Sequence, residues 1–291
     1  MNFFQIILLM LPIILIAGIG YFFSLFKKSD IKVLADLIIY VTAPCLFIMS
    51  LSTARFHNSE IISIILTTTA VVLLTAFIVF LLRKYISIPL GMYIPIVFMN
   101  SSFIGFPLIL MAYGTEGLAR AIIFDTTNGL LIYSLGIYII SNKSHKFEFF
   151  KTPILYSAII GTLINIFNIQ VPEAIGVTIT MLGSATIPLA LFMLGMRLGK
   201  TKITSLKMPL IGSLIRGLAG IGIAVIIVKV FNIPTILGNV LILMSALPSA
   251  ITGIVLSEEY KKEHSEVVAS TIALSTLLAI IYMPLLIMFL K

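Results

Sequence analysis

One carboxylate stands out because it lies inside a long apolar stretch of the chain. Asp125 and Asn128 are three residues apart in segment 117–140, so on a helix both side chains lie on one face. Asp125 would lie ~12 Å from the start of that helix. A carboxylate at such a depth in a bilayer costs about 2.5 to 3.5 kcal/mol and needs a proton, a cation or hydrogen bonds. We predict that Asp125 and Asn128 form a cation-coupling site for a proton or sodium ion; a structural hydrogen bond to a neighbouring helix is the alternative.

Two further segments combine hydrogen-bonding side chains with residues that interrupt helices. Residues 100–107 read NSSFIGFP, and residues 245–253 read SALPSAITG. Proline removes an amide donor and glycine loosens the backbone, so in hydrocarbon such a break is tolerated mainly where it lines a cavity or is buried in protein. A half-helix that begins there directs a partially positive N-terminus into the cavity, which favours an anion. A simple proline kink is the alternative. On this argument, Asn100, Ser101 and Ser245 are predicted to supply hydrogen bonds to a substrate carboxylate.

Arg216 is the basic residue that falls inside an apolar segment, 208–230. It lies on one stripe with Gly212 and Gly220, and this spacing permits close approach of another helix. One interpretation is that Arg216 attracts an anionic substrate. We favour the other, in which it snorkels or forms a structural pair, because it lies only ~12 Å from the inner end of the helix.

The sequence lacks the patterns typical of enzymes and metal sites. Its single cysteine, Cys45, can neither form an intrachain disulfide nor hold a metal by itself. An intramembrane serine or metal protease needs a histidine inside a span, but the three histidines all fall in loops: His57, His145 and His264. We expect no enzymatic activity, no metal and no cofactor beyond a coupling proton or sodium ion. A channel or a receptor stays open as an alternative.

The composition identifies lipid as the solvent of most of this chain. Of its 291 residues, 60% are hydrophobic and only 10% are charged, whereas globular proteins carry roughly 25% charged residues. At ~20 apolar residues per helix, the apolar runs predict ten membrane spans in an all-α polytopic protein. The predicted spans are about 3–23, 33–52, 61–82, 92–113, 117–140, 153–169, 173–196, 208–230, 235–257 and 266–290.

The basic residues predict the orientation of these spans. The formal net charge is +8, but 18 of the 19 Lys and Arg residues lie in or at the ends of short loops, so charge indicates topology rather than nucleic-acid binding. Loops after spans 1, 3, 5, 7 and 9 hold 14 of them, and the opposite side holds four. By the positive-inside rule, we expect a multi-pass protein of the plasma (bacterial inner) membrane, with both termini on the non-cytoplasmic side.

Prolines recur at matching distances in the two halves of the chain. Pro44 and Pro188 are 144 residues apart, and Pro107 and Pro248 are 141 apart. This spacing predicts a five-helix unit used twice, and because five is odd, the second copy is inverted. An inverted repeat with interrupted helices is typical of secondary transporters whose binding site lies near the bilayer midplane. The predicted repeats are residues 1–140 and 153–291.

Several stretches in order resemble the auxin efflux carrier family in its compact prokaryotic form. They are residues 34–47 (LADLIIYVTAPCLF), residues 100–107 followed by 113–128 (YGTEGLARAIIFDTTN), and residues 246–278. No single motif is highly specific, but their order and spacing are, and the resemblance covers essentially the full length. It implies a ten-helix inverted-repeat fold related to bile-acid and sodium/proton carriers, with broken, crossed spans 4 and 9.

The resemblance also implies how such a fold works. Spans 1, 2, 6 and 7 would form a scaffold, and spans 3 to 5 and 8 to 10 a transport unit that moves like an elevator. It implies organic-anion substrates, such as malate or other carboxylates in bacterial members and auxin in plant ones, and often a homodimer assembled through scaffold helices. The family's crossover asparagine corresponds to Asn100 and its crossover prolines to Pro107 and Pro248. Plant members carry an asparagine where this chain has Ser245 and Ser249, which argues against auxin itself. The resemblance thereby adds Pro107, Pro248 and Ser249 to the predicted substrate-binding residues.

We therefore predict a secondary active transporter of a small organic anion, such as malate or an auxin-like acid, that works by elevator-type alternating access. The alternatives are a sodium-coupled symporter of the bile-acid type and a non-transporting membrane receptor on the same fold. The expected partners are the substrate, the lipid bilayer and a second copy of the chain, with no nucleic acid.

Overall fold

The apolar segments form helices, because a backbone surrounded by lipid must satisfy its hydrogen bonds within the segment. The computed structural model describes residues 3–27, 30–55, 58–141 and 152–290, and the regular elements in these ranges are all helical. The α-helices are α1 (Phe3–Phe26), α2 (Ile31–Leu37), α3 (Ala43–Ser52), α4 (Asn58–Leu82), α5 (Tyr93–Val97), α6 (Phe106–Leu131), α7 (Ile137–Ser141), α8 (Pro153–Ile166), α9 (Glu173–Ser184), α10 (Thr186–Lys200), α11 (Lys207–Val230), α12 (Thr235–Ala246), α13 (Thr252–Tyr260) and α14 (Ser265–Leu290). Short π-helical turns occupy Ile38–Thr42, Ser101–Gly105 and Ile132–Gly136, and 3-10 turns occupy Leu90–Met92 and Lys262–His264.

Many of these helices have the length and surface of membrane spans. Within the residues that the structure describes, six segments are long and apolar enough to cross a bilayer: Ile31–Ser52, Ser59–Leu82, Ser101–Ser141, Glu173–Lys200, Lys207–Val230 and Ser265–Leu290. Shorter apolar helices are Met10–Phe26, Pro153–Ile166 and Thr235–Ala246. Large apolar side chains point outward, including Phe22, Phe80 and Phe289. Such an outward surface suits lipid rather than water, and the predicted polytopic helical membrane protein is confirmed.

The 41-residue segment Ser101–Ser141 turns back on itself. A straight helix would place Ser101 and Asp125 ~36 Å apart, yet their side chains are hydrogen bonded. The reversal lies at Gly114, whose φ of 67° and ψ of −163° interrupt α6. Glycine adopts a positive φ without steric penalty, so this one residue allows two antiparallel helices within α6. The reversal falls between predicted spans four and five.

Two other interruptions precede prolines that the sequence pairs by spacing. The π turn Ile38–Thr42 precedes Pro44 at the start of α3. Ala185 separates α9 from α10 ahead of Pro188. A proline ring clashes with the carbonyl group four residues earlier and offers no N–H. Both interruptions therefore have the same local cause.

The helices pack in two groups that meet at a buried centre. In one group α1 packs against α10, and α3 packs against α8 and α9. In the other, α11 packs against α12 and α14, and α4 packs against α6. Fully buried apolar residues surround the segments that follow α5 and α12: Ile94, Val97, Phe98, Leu243, Met244 and Leu247. The core therefore lies around two interruptions of the chain.

Candidate functional site

The chain interruptions that follow α5 and α12 lie against each other. The backbone N–H of Asn100 donates to the carbonyl oxygen of Pro248 at 2.8 Å. The N–H of Ala250 donates to the carbonyl oxygen of Phe98 at 3.0 Å. The two segments thus form a short antiparallel bridge that satisfies backbone groups left over by the broken helices. The predicted interruption of both segments is confirmed.

Arg216 on α11 holds the ends of the two half-helices that lead into these interruptions. Its Nη1 donates to the carbonyl oxygen of Val97 at 2.6 Å, and its Nη2 donates to that of Ser245 at 2.8 Å. The side chain is 0% exposed. The last carbonyls of a helix are unpaired and carry partial negative charge, so one guanidinium both pairs and neutralises them. Of the two sequence interpretations, the geometry supports the structural one.

Close packing of α11 against this region depends on small residues. A Cβ at Gly220 would collide with the carbonyl oxygen of Ser245, and a Cβ at Gly212 would lie 2.8 Å from a methionine methyl group. The predicted close-approach stripe is therefore present. On α14, the hydroxyl of Tyr282 donates to the carbonyl oxygen of Ala246 at 2.6 Å. The last turn of α12 is thus held from two neighbouring helices.

A cavity of about 140 Å³, here called the central cavity, opens where the chain resumes its helices. The first residues of the π turn Ser101–Gly105 and of α13 line it, and neither start is capped by a side chain. Residues from α3 and α10 line the other wall. Its polar lining includes Asn100, Ser101, Ser102, Asp125, Asn128 and Thr186. Its apolar lining includes Phe47, Phe103, Phe106, Ile132 and Ala190.

Asp125 contributes a carboxylate to this cavity. The hydroxyls of Ser101 and Ser102 both donate to its Oδ1, the latter at 2.7 Å. Within the described ranges, no Lys or Arg nitrogen lies within 4.0 Å of this carboxylate. Asn128 donates from Nδ2 to the carbonyl oxygen of Met99 at 3.0 Å and to Ser101 Oγ at 3.1 Å. Asp125 and Asn128 therefore lie on one helical face and both reach the interrupted segment.

Three polar atoms at the central cavity have no hydrogen-bond partner in the described part of the chain. They are Asn100 Nδ2, Asn128 Oδ1 and Thr186 Oγ1, and all three are buried. An unpaired buried polar group costs about 1 to 3 kcal/mol. A ligand that pairs with this donor, acceptor and hydroxyl would remove that cost, so the cavity is prepared for a polar ligand.

Of the eight predicted site residues, four line the central cavity and four lie outside its lining. Those that line it are Asn100, Ser101, Asp125 and Asn128. Ser245 and Ser249 are fully buried beside the paired interruptions and do not line it. Pro107 lies in the first turn of α6, and Pro248 accepts the backbone bond described above.

Ser102, Phe47 and Thr186 are among the residues of the cavity wall that sequence reasoning missed. Ser102 follows Ser101, and neighbouring side chains on an ordinary α-helix do not face the same partner; here both reach Asp125 at the start of the π turn. Its adjacency to Ser101 was the available signal. Phe47 and Thr186 arrive from α3 and α10. No local pattern distinguishes them, because their role depends on which helices pack together.

Comparison with known proteins agrees with this architecture. The family model described as membrane transport protein, which represents the auxin efflux carrier family, matches residues 5–150 and 141–287. The chain belongs to this family. It is similar to an uncharacterized transporter of Methanocaldococcus jannaschii, with 26% identity over 299 residues that cover 97% of this chain and 96% of the relative. An uncharacterized transporter of Methanothermobacter thermautotrophicus is 28% identical over 213 residues, which cover 67% of this chain and 66% of that protein.

Membership in the auxin efflux carrier family confirms the resemblance found in the sequence. The protein is a membrane transporter rather than an enzyme.

Proposed function

We propose that this auxin efflux carrier family member is a secondary active transporter of a small organic anion, which binds in the central cavity. One observation carries the proposal: two uncapped helix starts and the side chain of Asn100 share this cavity. Free N–H groups at a helix start favour a negative charge. Asn100 Nδ2, buried and without a partner among the described residues, adds a directional donor.

The cavity favours an anion with one carboxylate and a compact apolar body. Much of the wall away from the helix starts is apolar and includes Phe47, Ile132 and Ala190. An apolar cavity of ~150 Å³ holds a molecule about the size of benzene. A second carboxylate would meet the apolar wall, Asp125 or the neutral hydroxyl of Thr186, and none of these offsets a second negative charge. We therefore expect monocarboxylates to be preferred over dicarboxylates such as malate.

Asp125 is the proposed coupling residue. An ionised Asp125 repels an anion strongly in a cavity of low dielectric constant. A proton on Asp125 removes this repulsion. A sodium ion held by Asp125, Asn128 Oδ1 and nearby hydroxyls would do the same, because sodium is bound by oxygen atoms. The cation and the organic anion therefore bind together, which links substrate movement to a cation gradient.

The position of the cavity between two helix groups supports alternating access. We propose ten passages arranged as two inverted repeats, residues 1–140 and 153–291. In this arrangement α1 to α3 and α8 to α10 form the scaffold, and the second group moves like an elevator with the substrate. Movement of one bundle against another around a midplane site is common in secondary transporters. We also expect a homodimer assembled through scaffold helices, in the plasma membrane, with both termini on the non-cytoplasmic side.

Uptake into proteoliposomes tests the proposal. Labelled acetate, butyrate, benzoate, malate and succinate are supplied under an imposed pH gradient, an imposed sodium gradient, or neither. We expect saturable uptake of a monocarboxylate that one of the two gradients stimulates. Stimulation by sodium alone would favour a symporter of the bile-acid type. Flux that rises linearly with concentration would indicate a channel, and binding without flux a receptor; either result would overturn the proposal.

A further inference from the structure

A second pocket, of about 370 Å³ and here called the entrance pocket, lies at the C-terminal end of α10. Its lining includes three basic residues, Arg197, Lys200 and Lys202, and two acidic residues, Glu258 and Glu266. The bases come from α10 and the loop that follows it, whereas the acids come from α13 and α14. The distribution of Lys and Arg assigns this end of α10 to the cytoplasmic side.

Arg197 has unused hydrogen-bonding capacity in this pocket. Its Nε is buried and has no partner in the described part of the chain. Glu258 attracts it electrostatically, but within those same residues no carboxylate oxygen lies within 4.0 Å of the guanidinium. A guanidinium is suited to bind a carboxylate with two parallel hydrogen bonds. The pocket therefore offers a site for an anionic group.

The entrance pocket and the central cavity lie along the same elements. Ile31, Arg197 and Ile254 line the entrance pocket, and Ile38, Ala190 and Thr252 line the central cavity. On α10, the seven residues from Arg197 to Ala190 correspond to ~10 Å. Along α10, and along α2 with its π turn, the two sites are therefore about two helical turns apart, whereas on α13 their lining residues Thr252 and Ile254 are two positions apart.

We propose that the entrance pocket is a second anion-binding site, which collects the substrate carboxylate from the cytoplasmic side and delivers it to the central cavity. This inference rests on the proposed function. Basic groups in a cleft with low-dielectric walls raise the local concentration of an anion and its association rate. Glu258 and Glu266 oppose that attraction at the same place. The anion is thereby held weakly enough to move on, as conduction through successive sites requires.

The pair Arg197 and Glu258 has a competing interpretation as a latch between the two helix groups. Arg197 lies on α10 of one group, and Glu258 lies on α13, which packs against α14 of the other. The two interpretations predict different effects of removing Glu258. In a collecting site, Glu258 repels the substrate, so its loss and the loss of Arg197 change KM in opposite directions. In a latch, either loss removes the same electrostatic attraction between Arg197 and Glu258, so both variants change the turnover rate in the same direction.

The experiment measures transport from the cytoplasmic side in inside-out membrane vesicles. The probe is whichever of acetate, butyrate and benzoate the wild-type protein takes up fastest. Arg197→Gln and Glu258→Gln are compared with Arg197→Lys, which keeps the charge. Lys207→Gln is the matched control, because it removes an exposed base at the start of α11 that does not line the pocket.

We expect Arg197→Gln to raise KM about fivefold with kcat unchanged, because attraction at the entrance is lost. Glu258→Gln should lower KM about twofold, Arg197→Lys should retain most of the wild-type KM, and Lys207→Gln should have no effect. Raising the salt concentration screens exposed charges. It should therefore increase the wild-type KM more than that of Arg197→Gln.

Three results would count against the inference in distinguishable ways. An unchanged KM in Arg197→Gln, with a wild-type protein that transports the probe, would overturn the entrance site alone. Parallel changes of kcat in Arg197→Gln and Glu258→Gln would establish the latch instead. Absence of wild-type transport for every acid would overturn the proposed function, and this inference with it. If Arg197→Gln does not fold, the fall in KM expected for Glu258→Gln decides the question.

Discussion

The carbonyl oxygen of Ser245 lies 2.8 Å from Nη2 of Arg216, and this contact joins α12 to α11. The same guanidinium binds the end of α5, so one side chain holds both half-helices that lead into the paired interruptions. The helices that resume beyond the interruptions present their starts to the central cavity. The position of a residue that does not line the cavity thus determines the geometry of the groups that do.

Replacing Arg216 with Met should destabilise the protein more than any single change in the central cavity. The change leaves the buried carbonyl groups of Val97 and Ser245 unpaired, and each such group costs about 1 to 3 kcal/mol. Arg216→Lys should have an intermediate effect. A single ammonium group cannot reproduce the two guanidinium nitrogens that each bind one helix end. The midpoint of thermal unfolding in detergent measures the loss of stability in each variant. Equal unfolding midpoints for wild type and Arg216→Met would show that the hydrogen bonds of Arg216 to the two helix ends do not stabilise the fold.

Two glycines on α11 provide a matched pair for testing the close approach to the interruptions. Gly220→Ala should destabilise by about 1 to 3 kcal/mol, because the added methyl group meets the carbonyl of Ser245. Gly222→Ala should be neutral or slightly stabilising, because nothing lies within 4 Å of the new Cβ and alanine favours helices. The measurement is the unfolding midpoint of each variant. If both variants have the unfolding midpoint of the wild type, α11 can move away from Ser245 without a loss of stability, and the close approach does not stabilise the fold.

Asp125→Asn should abolish stimulation of uptake by a proton or sodium gradient. The amide is neutral, so the anion no longer needs a cation to relieve repulsion, and uptake should proceed at about the unstimulated rate. Asp36→Asn, at an exposed position on α2, serves as the control for removing an acidic group. Proteoliposome uptake with and without each gradient gives the comparison. Wild-type stimulation in Asp125→Asn would remove the coupling role.

Asn100→Asp should weaken binding of the organic anion without disturbing the fold. The change keeps the size of the side chain but replaces an amide donor with a carboxylate that repels the substrate. Like charges in contact cost several kcal/mol, so KM should rise at least about tenfold. Concentration-dependent uptake measures KM, and the unfolding midpoint checks that the protein is intact. An unchanged KM would place the substrate elsewhere.

The membrane class and the positions of the chain interruptions could be read from the sequence because their causes are local. A run of apolar residues forms a helix whose hydrogen bonds close within four residues. Pro107 and Pro248 weaken a helix through their own ring and missing N–H. The presence of Asp125 inside an apolar helix is likewise a property of one segment. These features required no knowledge of which segments become neighbours.

Features that depend on the packing of distant helices were harder to predict from the sequence. The sequence suggested that Ser245 and Ser249 bind substrate alongside Asn100, because all three lie beside interruptions. The structure instead buries both serines against neighbouring helices and brings Thr186 to the cavity. Which face of an interruption meets the cavity depends on how α10, α11 and α14 pack around it. Residue spacing within one segment does not carry that information.

By itself, the sequence determined that the chain lies in a membrane, that two of its helices are interrupted and that a carboxylate is buried beside polar residues. Only the tertiary structure decided which backbone groups of the two interruptions pair, that Arg216 binds the helix ends before both of them, and that both helix starts line one cavity. The reason is physical: helix formation and helix breaking depend on neighbours a few residues away. The pairing of Asn100 with Pro248 depends instead on the packing of helices far apart in the chain.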